Sequence, residues 1–488
     1  MKTIKLFLTL FIIFSFISCD DYVDYDAKED YQVVAEDYFA SESDFEAALI
    51  GVYDVLQWTT YNVMIGDIAS DNSLCGGESA TDVIGLQRID DFLTIADNDQ
   101  LDRIWKYMYE GINRANYLVE NIDKLNSERK ESLYGEVYFL RAYFYFELVK
   151  FFGDVPLFVD RRLTASDSGT LKRTSVAEVY NQIENDLNSA VLALPSAQSE
   201  RGRATRSAAQ SLLGKVQLYQ QKYDEAASSL EQVIGVFGLV DDFGSQFLRQ
   251  GENGVESIFE IQHTNTSNWY DWGFVPPGTE GNFMIIHHGI RGYSGPVYAQ
   301  GWSFNVPTQE LVDAYQVGDN RKDYTILDIE SFSNANGASY TTGYEHTGYF
   351  NNKYIPRAGE TDAQPELNYL TNYRAIRYAD VLLMAAEANA LKSSPDFSKA
   401  TNYLNQVRER AFGNSENNLV FVSQDGLVKA ILDERRLELA MEGHRFFDLV
   451  RTGQASSELE GFISGKHELF PIPQTEIDIS GLTQNPGY

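Results

Sequence analysis

Apolar residues return at three- and four-residue steps in stretch after stretch of this chain, and that period constrains its fold most. Phe45, Leu49, Val52 and Leu56 trace one such face behind the capping chemistry of Ser43-Asp44, and a period near 3.6 residues puts them on one side of an α-helix. Trp105, Met108, Ile112, Ala115, Leu118 and Ile122 make a second stripe. Leu133 to Phe152 is a third, unusually aromatic, and stops at Gly153-Asp154-Val155-Pro156, a Gly and Pro exit signal. Ser175 and Glu178 form a capping box ahead of Tyr180, Ile183, Leu187, Val191 and Leu194.

Two stretches carry a finer pattern. Between Arg203 and Ile234, Leu213-Gly214, Tyr223, Ala226 and Leu230 fall where a tetratricopeptide repeat sets its small and large packing residues. Two antiparallel helices approach closely only where residues such as Gly214 and Ala226 leave room. Tyr378 to Leu391, then Phe397 to Arg410, repeats the plan with Ala388, Ala400, Leu404 and Val407. The expected fold is mainly α, a tetratricopeptide-like helical-repeat scaffold.

From about residue 241 to 372 the character changes: Gly, Asn, Thr, Tyr and Trp dominate and helical stripes fade. So long a stretch without regular helix inside a compact body is functional or disordered, and its aromatic content speaks against disorder. Loops on a rigid frame are where binding residues gather. The expected organisation is therefore a helical region over 41–240, then a region over 241–488 that includes ligand-binding loops at 241–372.

The N-terminus reads differently. Lys2 and Lys5 precede the apolar run Leu6 to Ile17, which as a helix reaches roughly 18 Å, short of the ~30 Å of a bilayer core. That favours a cleaved signal peptide over 1–18 and disfavours a membrane span. Phe16-Ile17-Ser18-Cys19 resembles the bacterial lipobox, with Phe where Leu is usual, which makes Cys19 the expected lipidation site. Asp20-Asp21 resembles the surface-export signal of Bacteroidetes lipoproteins, and 19–40 reads as an acidic tether. The chain has only two cysteines, Cys19 and Cys75, so acylation of Cys19 leaves no intramolecular disulfide. A net charge of −32 repels phosphate backbones and argues against nucleic acid as a partner.

Trp269-Tyr270-Asp271-Trp272-Gly273-Phe274, followed by Tyr293, Tyr298 and Trp302, places three of the five Trp in the least helical part of the chain. Flat apolar rings beside hydrogen-bonding groups suit the C–H faces and hydroxyls of pyranose sugars. Trp269 and Trp272 sit among polar residues with no apolar stripe to join, which favours ligand contact. Trp302, near Phe304 and Val306, and Trp58 and Trp105, on helical stripes, favour packing. His287, His288 and Arg291 could meet an acidic sugar, and pairing with this chain's own carboxylates is an equal alternative. Asp97, Asp99 and Asp102 lack the Gly and distal Glu of a calcium loop, so no metal or cofactor is expected. No His-Glu-x-x-His, Gly-x-Ser-x-Gly or phosphate-cradling motif is present, so the chain reads as a binder and not an enzyme.

Six blocks in order resemble proteins of the SusD/RagB family. They are Phe45-Glu46-Ala47-Ala48-Leu49-Ile50-Gly51-Val52-Tyr53; Phe139 to Phe146 with Phe152-Gly153-Asp154-Val155-Pro156-Leu157; Arg203-Ala204-Thr205; Arg377 to Met384; Glu434-Arg435-Arg436-Leu437-Glu438-Leu439 with Gly443-His444-Arg445-Phe446-Phe447-Asp448-Leu449; and Leu469-Phe470-Pro471-Ile472-Pro473 with Gln484-Asn485-Pro486-Gly487-Tyr488. The resemblance implies four tetratricopeptide-like units, a loop-built ligand face and a place as lid on a SusC-type TonB-dependent outer-membrane transporter. It also implies that the loop after the first helix, Asp67 to Asp99, borders that face, which makes Asp71 and Asn72 candidate hydroxyl partners against a turn or cap role. The expected function is a surface-exposed outer-membrane lipoprotein that captures oligosaccharide and delivers it to such a transporter. A RagB-type peptide carrier is the alternative, and a tetratricopeptide protein-interaction scaffold a more distant one.

Overall fold

The computed structural model describes residues 38–266, 280–361 and 368–488. The signal segment, Cys19 and nearly all of the tether lie outside the described residues. Among those described, no helix is long and apolar enough to cross a membrane.

The stripes become helices. Helix α1 (Glu42–Asp54) opens on a capping box of Ser41 and Asp44, two residues ahead of the Ser43 start read from the sequence. A 3-10 turn (Val55–Thr59) leads into α2 (Thr60–Ile68), buried along its whole length. Helix α3 (Asp99–Glu120) is capped by the Asn98 side chain, which accepts from the N–H groups of Gln100 and Leu101. The aromatic stripe forms α4 (Lys130–Phe152); it is buried on nearly every side and ends at Gly153, whose φ of +72° suits a residue without a Cβ. Ser175 caps α5 (Val176–Ala193).

The two repeat-like pairs are α6 (Arg206–Tyr219) with α7 (Tyr223–Glu231), and α8 (Tyr378–Leu391) with α9 (Phe397–Phe412). Helix α4 lies between α3 and α5, and α8 packs on both α7 and α9. Small residues set these approaches. A Cβ at Gly111 of α3 would overlap the Phe144 ring of α4, and one at Gly214 would overlap Leu230 of α7. One continuous apolar core runs from Phe39 to Leu482, so the regions before and after residue 240 share an interior.

The region 241–372 holds short helices at Met284–His288, Gln309–Ala314, Arg321–Thr325 and Ile329–Asn336. Among the described residues, four two-stranded ladders stitch it together and tie it to the frame. Strand β1 (Ser73–Leu74) pairs with β5 (Val306–Pro307), β2 (Ser257–Ile261) with β8 (Tyr373–Arg377), β3 (Ile290–Arg291) with β4 (Gln300–Gly301), and β6 (Ile326–Asp328) with β7 (Tyr349–Asn351). The stretch 67–99, read as a loop, contains a helix at Ile84–Asp90.

The charged C-terminal block turns inward. Helix α10 (Gln424–Glu438) and α11 (Arg445–Arg451) supply Glu434, Arg435, Glu438 and Asp448 to a buried ion-pair network. Arg377 bonds Glu256 at 2.9 Å, Glu438 at 2.5 Å and Glu442 at 2.8 Å. Arg321 bonds Asp319 and Glu438, and Arg435 bonds Asp380 and Asp448. Buried charges persist only when paired in this way. The cations around Glu438 hold its carboxyl far below the usual range against the opposing effect of burial. At the chain end, the Asn485 amide donates to the Phe152 and Phe470 carbonyls, which fastens the C-terminal block to the exit of α4.

Candidate functional site

Two stretches far apart in sequence, the turn after β1 and the aromatic region around residue 300, come together. Beyond the β1–β5 ladder, the Gly77 N–H donates to the Ser303 carbonyl at 2.8 Å, and the Tyr344 N–H donates to the Gly77 carbonyl at 2.9 Å. A Cβ at Gly76 would overlap the Ser303 oxygen, and Gly77 holds a φ of +104°. Glycines at both positions allow this seam. Trp302 packs half-buried beside it, edge-on to His287 at 4.9 Å, and its N–H donates to the Ile286 carbonyl. Trp58 and Trp105 are buried in the core.

Trp269, Tyr270 and Trp272 lie outside the described residues, and the roots of their segment are well anchored. The Thr264 N–H donates to the Glu280 carbonyl at 3.0 Å, closing the two ends on each other. The Asn368 amide donates to the Asn265 carbonyl at 3.0 Å, and the Asn282 N–H donates to the Tyr369 carbonyl at 2.7 Å. Beside these roots opens a cavity of about 480 Å³ lined by Ile50, Asp54, Gln57, Arg201, Gln262 and Glu280. Gln57 donates to the Gln262 carbonyl at 3.0 Å, while its Oε1 is buried without a partner among the described residues. Burial and the nearby Asp54 raise the Glu280 carboxyl. Gln57 and Glu280 escaped the sequence reading; the one signal for Gln57 was a polar residue interrupting an apolar stripe.

The remaining candidates have internal partners. Tyr293 and Tyr298 belong to a satellite core with Ile290, Leu327, Ile329, Phe350 and Ile355. Their rings meet edge-on at 6.1 Å, the Tyr293 hydroxyl donates to the Pro296 carbonyl, and the Tyr298 hydroxyl donates to Asn352. They are core side chains and not an open platform. His288 is fully buried between the Tyr354 carbonyl, Asn305 and Asn351; burial, with His287 alongside, pushes its pKa down to about 3. It is a neutral packing residue and not a cation for a uronate. Arg291 donates to the Trp302 carbonyl at 2.7 Å and pairs with Asp82 at 3.4 Å, which realises the local-pairing alternative. Asp71 receives a bidentate bond from Arg445 at 2.7 and 2.8 Å, and buried Asn72 accepts from Arg436 at 2.8 Å. Both tie the loop to the C-terminal helices. Among the described residues, no group of three or more His, Cys, Asp or Glu could hold a metal ion.

The comparisons with known proteins agree with this architecture. A family model described as "SusD family" matches residues 327–468, and one described as "Starch-binding associating with outer membrane" matches residues 21–218. A SusD-like protein of Formosa agariphila, P2, is 28% identical over 93% of this chain and 94% of its own length. Among solved structures, a laminarin binding SusD-like protein is 36% identical, with a TM-score of 0.83 over 92% of this chain and 100% of the other. Surface glycan-binding protein A from Bacteroides thetaiotaomicron, in complex with laminarihexaose, is 28% identical, with a TM-score of 0.80 over 91% of this chain and 99% of the other. With a helical frame and the ordered sequence blocks matched along nearly its whole length, the chain belongs to the SusD/RagB family.

Proposed function

We propose that this protein is a surface lipoprotein that captures a laminarin-type glycan, without cleaving it, and passes it to a SusC-type TonB-dependent transporter. The observation that carries the reading is the 36% identity, over 92% of the chain, to a laminarin binding SusD-like protein. Trp269, Tyr270 and Trp272, on a segment rooted beside an open cavity, supply the rings that stack on sugar. Cys19 carries the acyl anchor, and the tether over 19–40 lets the body reach over a barrel. Gln57 and Glu280 at the cavity offer a hydrogen-bond acceptor and a partly shielded carboxyl to sugar hydroxyls.

Each ring stack contributes about 0.5–1.5 kcal/mol, so Trp269→Ala and Trp272→Ala should each weaken binding roughly two- to tenfold. The test is calorimetric titration of the mature protein with laminarihexaose, maltohexaose and a peptide pool, with far-UV circular dichroism of each variant as the folding control. Saturable laminarihexaose binding, reduced in both variants, supports the reading. Affinity for peptide alone turns it to the peptide carrier, and shortened oligosaccharide recovered after incubation ends the non-catalytic assignment.

A further inference from the structure

A larger cavity, of about 730 Å³, opens where Asp241-Asp242, the loop from Gln316 to Asn320 and the short helix Arg321–Thr325 meet the C-terminal end of α9. None of its lining residues belongs to the rim around Gln57 and Glu280. Tyr324 stands on its wall with 42% of its surface exposed. The ring is anchored all the same: it lies against Gly244, where a Cβ would overlap it, and Asp242 sits beside its hydroxyl. A flat apolar surface is therefore held in one orientation before any ligand arrives, so little side-chain entropy remains to be lost on binding.

The wall of the cavity includes a buried arginine. Arg410, whose side chain is only 4% exposed, donates to Glu256 at 3.1 Å and Glu438 at 2.5 Å. Its Nε–H is buried and has no acceptor among the described residues. A buried N–H left unpaired is costly; it lies behind the cavity wall, so a ligand in the cavity meets the polar groups at the surface. Exposed Asp241 and Asp323 add acceptors and Lys322 adds a donor. An apolar ring face flanked by both donors and acceptors matches a pyranose, which presents a C–H face and an equatorial rim of hydroxyls.

We infer that this cavity is a second carbohydrate site, in which one pyranose unit stacks on Tyr324 and sets its hydroxyls against Asp241, Lys322 and Asp323. The inference rests on the glycan-binding reading for its probe. The test is calorimetric titration with laminarihexaose of the wild type, Tyr324→Ala, Tyr324→Phe and the Trp269→Ala/Trp272→Ala double variant. Wild type is expected to show two classes of site. Tyr324→Ala should weaken the second class about fivefold or more, while Tyr324→Phe keeps it. The double variant should lose the first class and retain the second. Tyr324→Leu, which keeps Gly244 covered, serves if the alanine variant melts early. Equal stoichiometry and affinity in wild type, Tyr324→Ala and Tyr324→Leu overturn the second site, as does a double variant with no residual binding. Loss in Tyr324→Ala beside an unaffected double variant upholds it and overturns the Trp platform. A wild type blind to laminarihexaose overturns both.

Discussion

Replacing Arg377 by Met tests whether the buried ion pairs hold the helical frame. The Arg377 side chain is 1% exposed, and its carboxylate partners Glu256, Glu438 and Glu442 are 2%, 0% and 1% exposed. Met fills most of the volume but leaves their charges short of a cation. The loss is partial, because Glu442 keeps Lys353, Glu438 keeps Arg321 and Arg410, and Glu256 keeps Arg410. Breaking one buried pair costs about 3–5 kcal/mol, and the retained cations put the whole change near 4 kcal/mol and not a multiple of it. Unfolding entropy of about 2.1 cal/mol/K per residue gives, for a body of this size, roughly 0.9 kcal/mol per degree. Arg377→Met should therefore lower Tm by about 4 °C at neutral pH in a circular-dichroism melt. The deficit should shrink as pH falls, because a carboxylate deprived of its cation and buried takes up a proton more readily. A Tm within about 1 °C of wild type, or a deficit that grows on acidification, would refute the argument.

Three further outcomes are expected, two from the geometry and one from the N-terminal sequence. Gly214→Val should overlap Leu230 and destabilise the α6–α7 pair by about 1–3 kcal/mol, seen as a lower urea midpoint and faster amide exchange in both helices; unchanged exchange would mean that the pair is not closely packed. His444 is buried, and burial pushes its pKa down to about 3; the unfolded chain takes up a proton near pH 6.5 that the folded chain refuses, so this residue costs stability as pH falls below that value. The stability of His444→Gln relative to wild type should thus rise by about 1.4 kcal/mol between pH 7.5 and 5.5, and a constant difference in denaturant midpoints argues against a neutral buried imidazole. Cys19→Ala should move the protein from the membrane fraction to the soluble fraction and abolish palmitate labelling; membrane retention would require another anchor.

The helical frame was legible because its determinants are local. Periodicity at Trp105 to Leu118 and the cap at Ser175 act within a turn or two of the chain, the small residue at Gly214 meets Leu230 of the very next helix, and each recurs in the structure as read. The C-terminal block was legible only as a pattern. Nothing within Glu434-Arg435-Arg436-Leu437-Glu438 tells that its charges are buried; Arg321 and Arg377, from elements far away in sequence, arrive beside it on folding.

The face was the least legible part, for the same reason. Tyr293 and Tyr298 are ringed by Phe332 and Phe350, and His288 by Asn305, Asn351 and the Tyr354 carbonyl; no local pattern announces these contacts. An aromatic or charged residue carries its chemistry in its name, but whether that chemistry faces water or the interior depends on chain segments that meet only on folding. The sequence alone determined the class of fold, the family and the kinds of residue available to a ligand. Tertiary structure decided which of them were consumed as core and ion pairs, and left Gln57, Glu280 and Tyr324 at open cavities, because burial is a property of the assembled surface and not of any one segment.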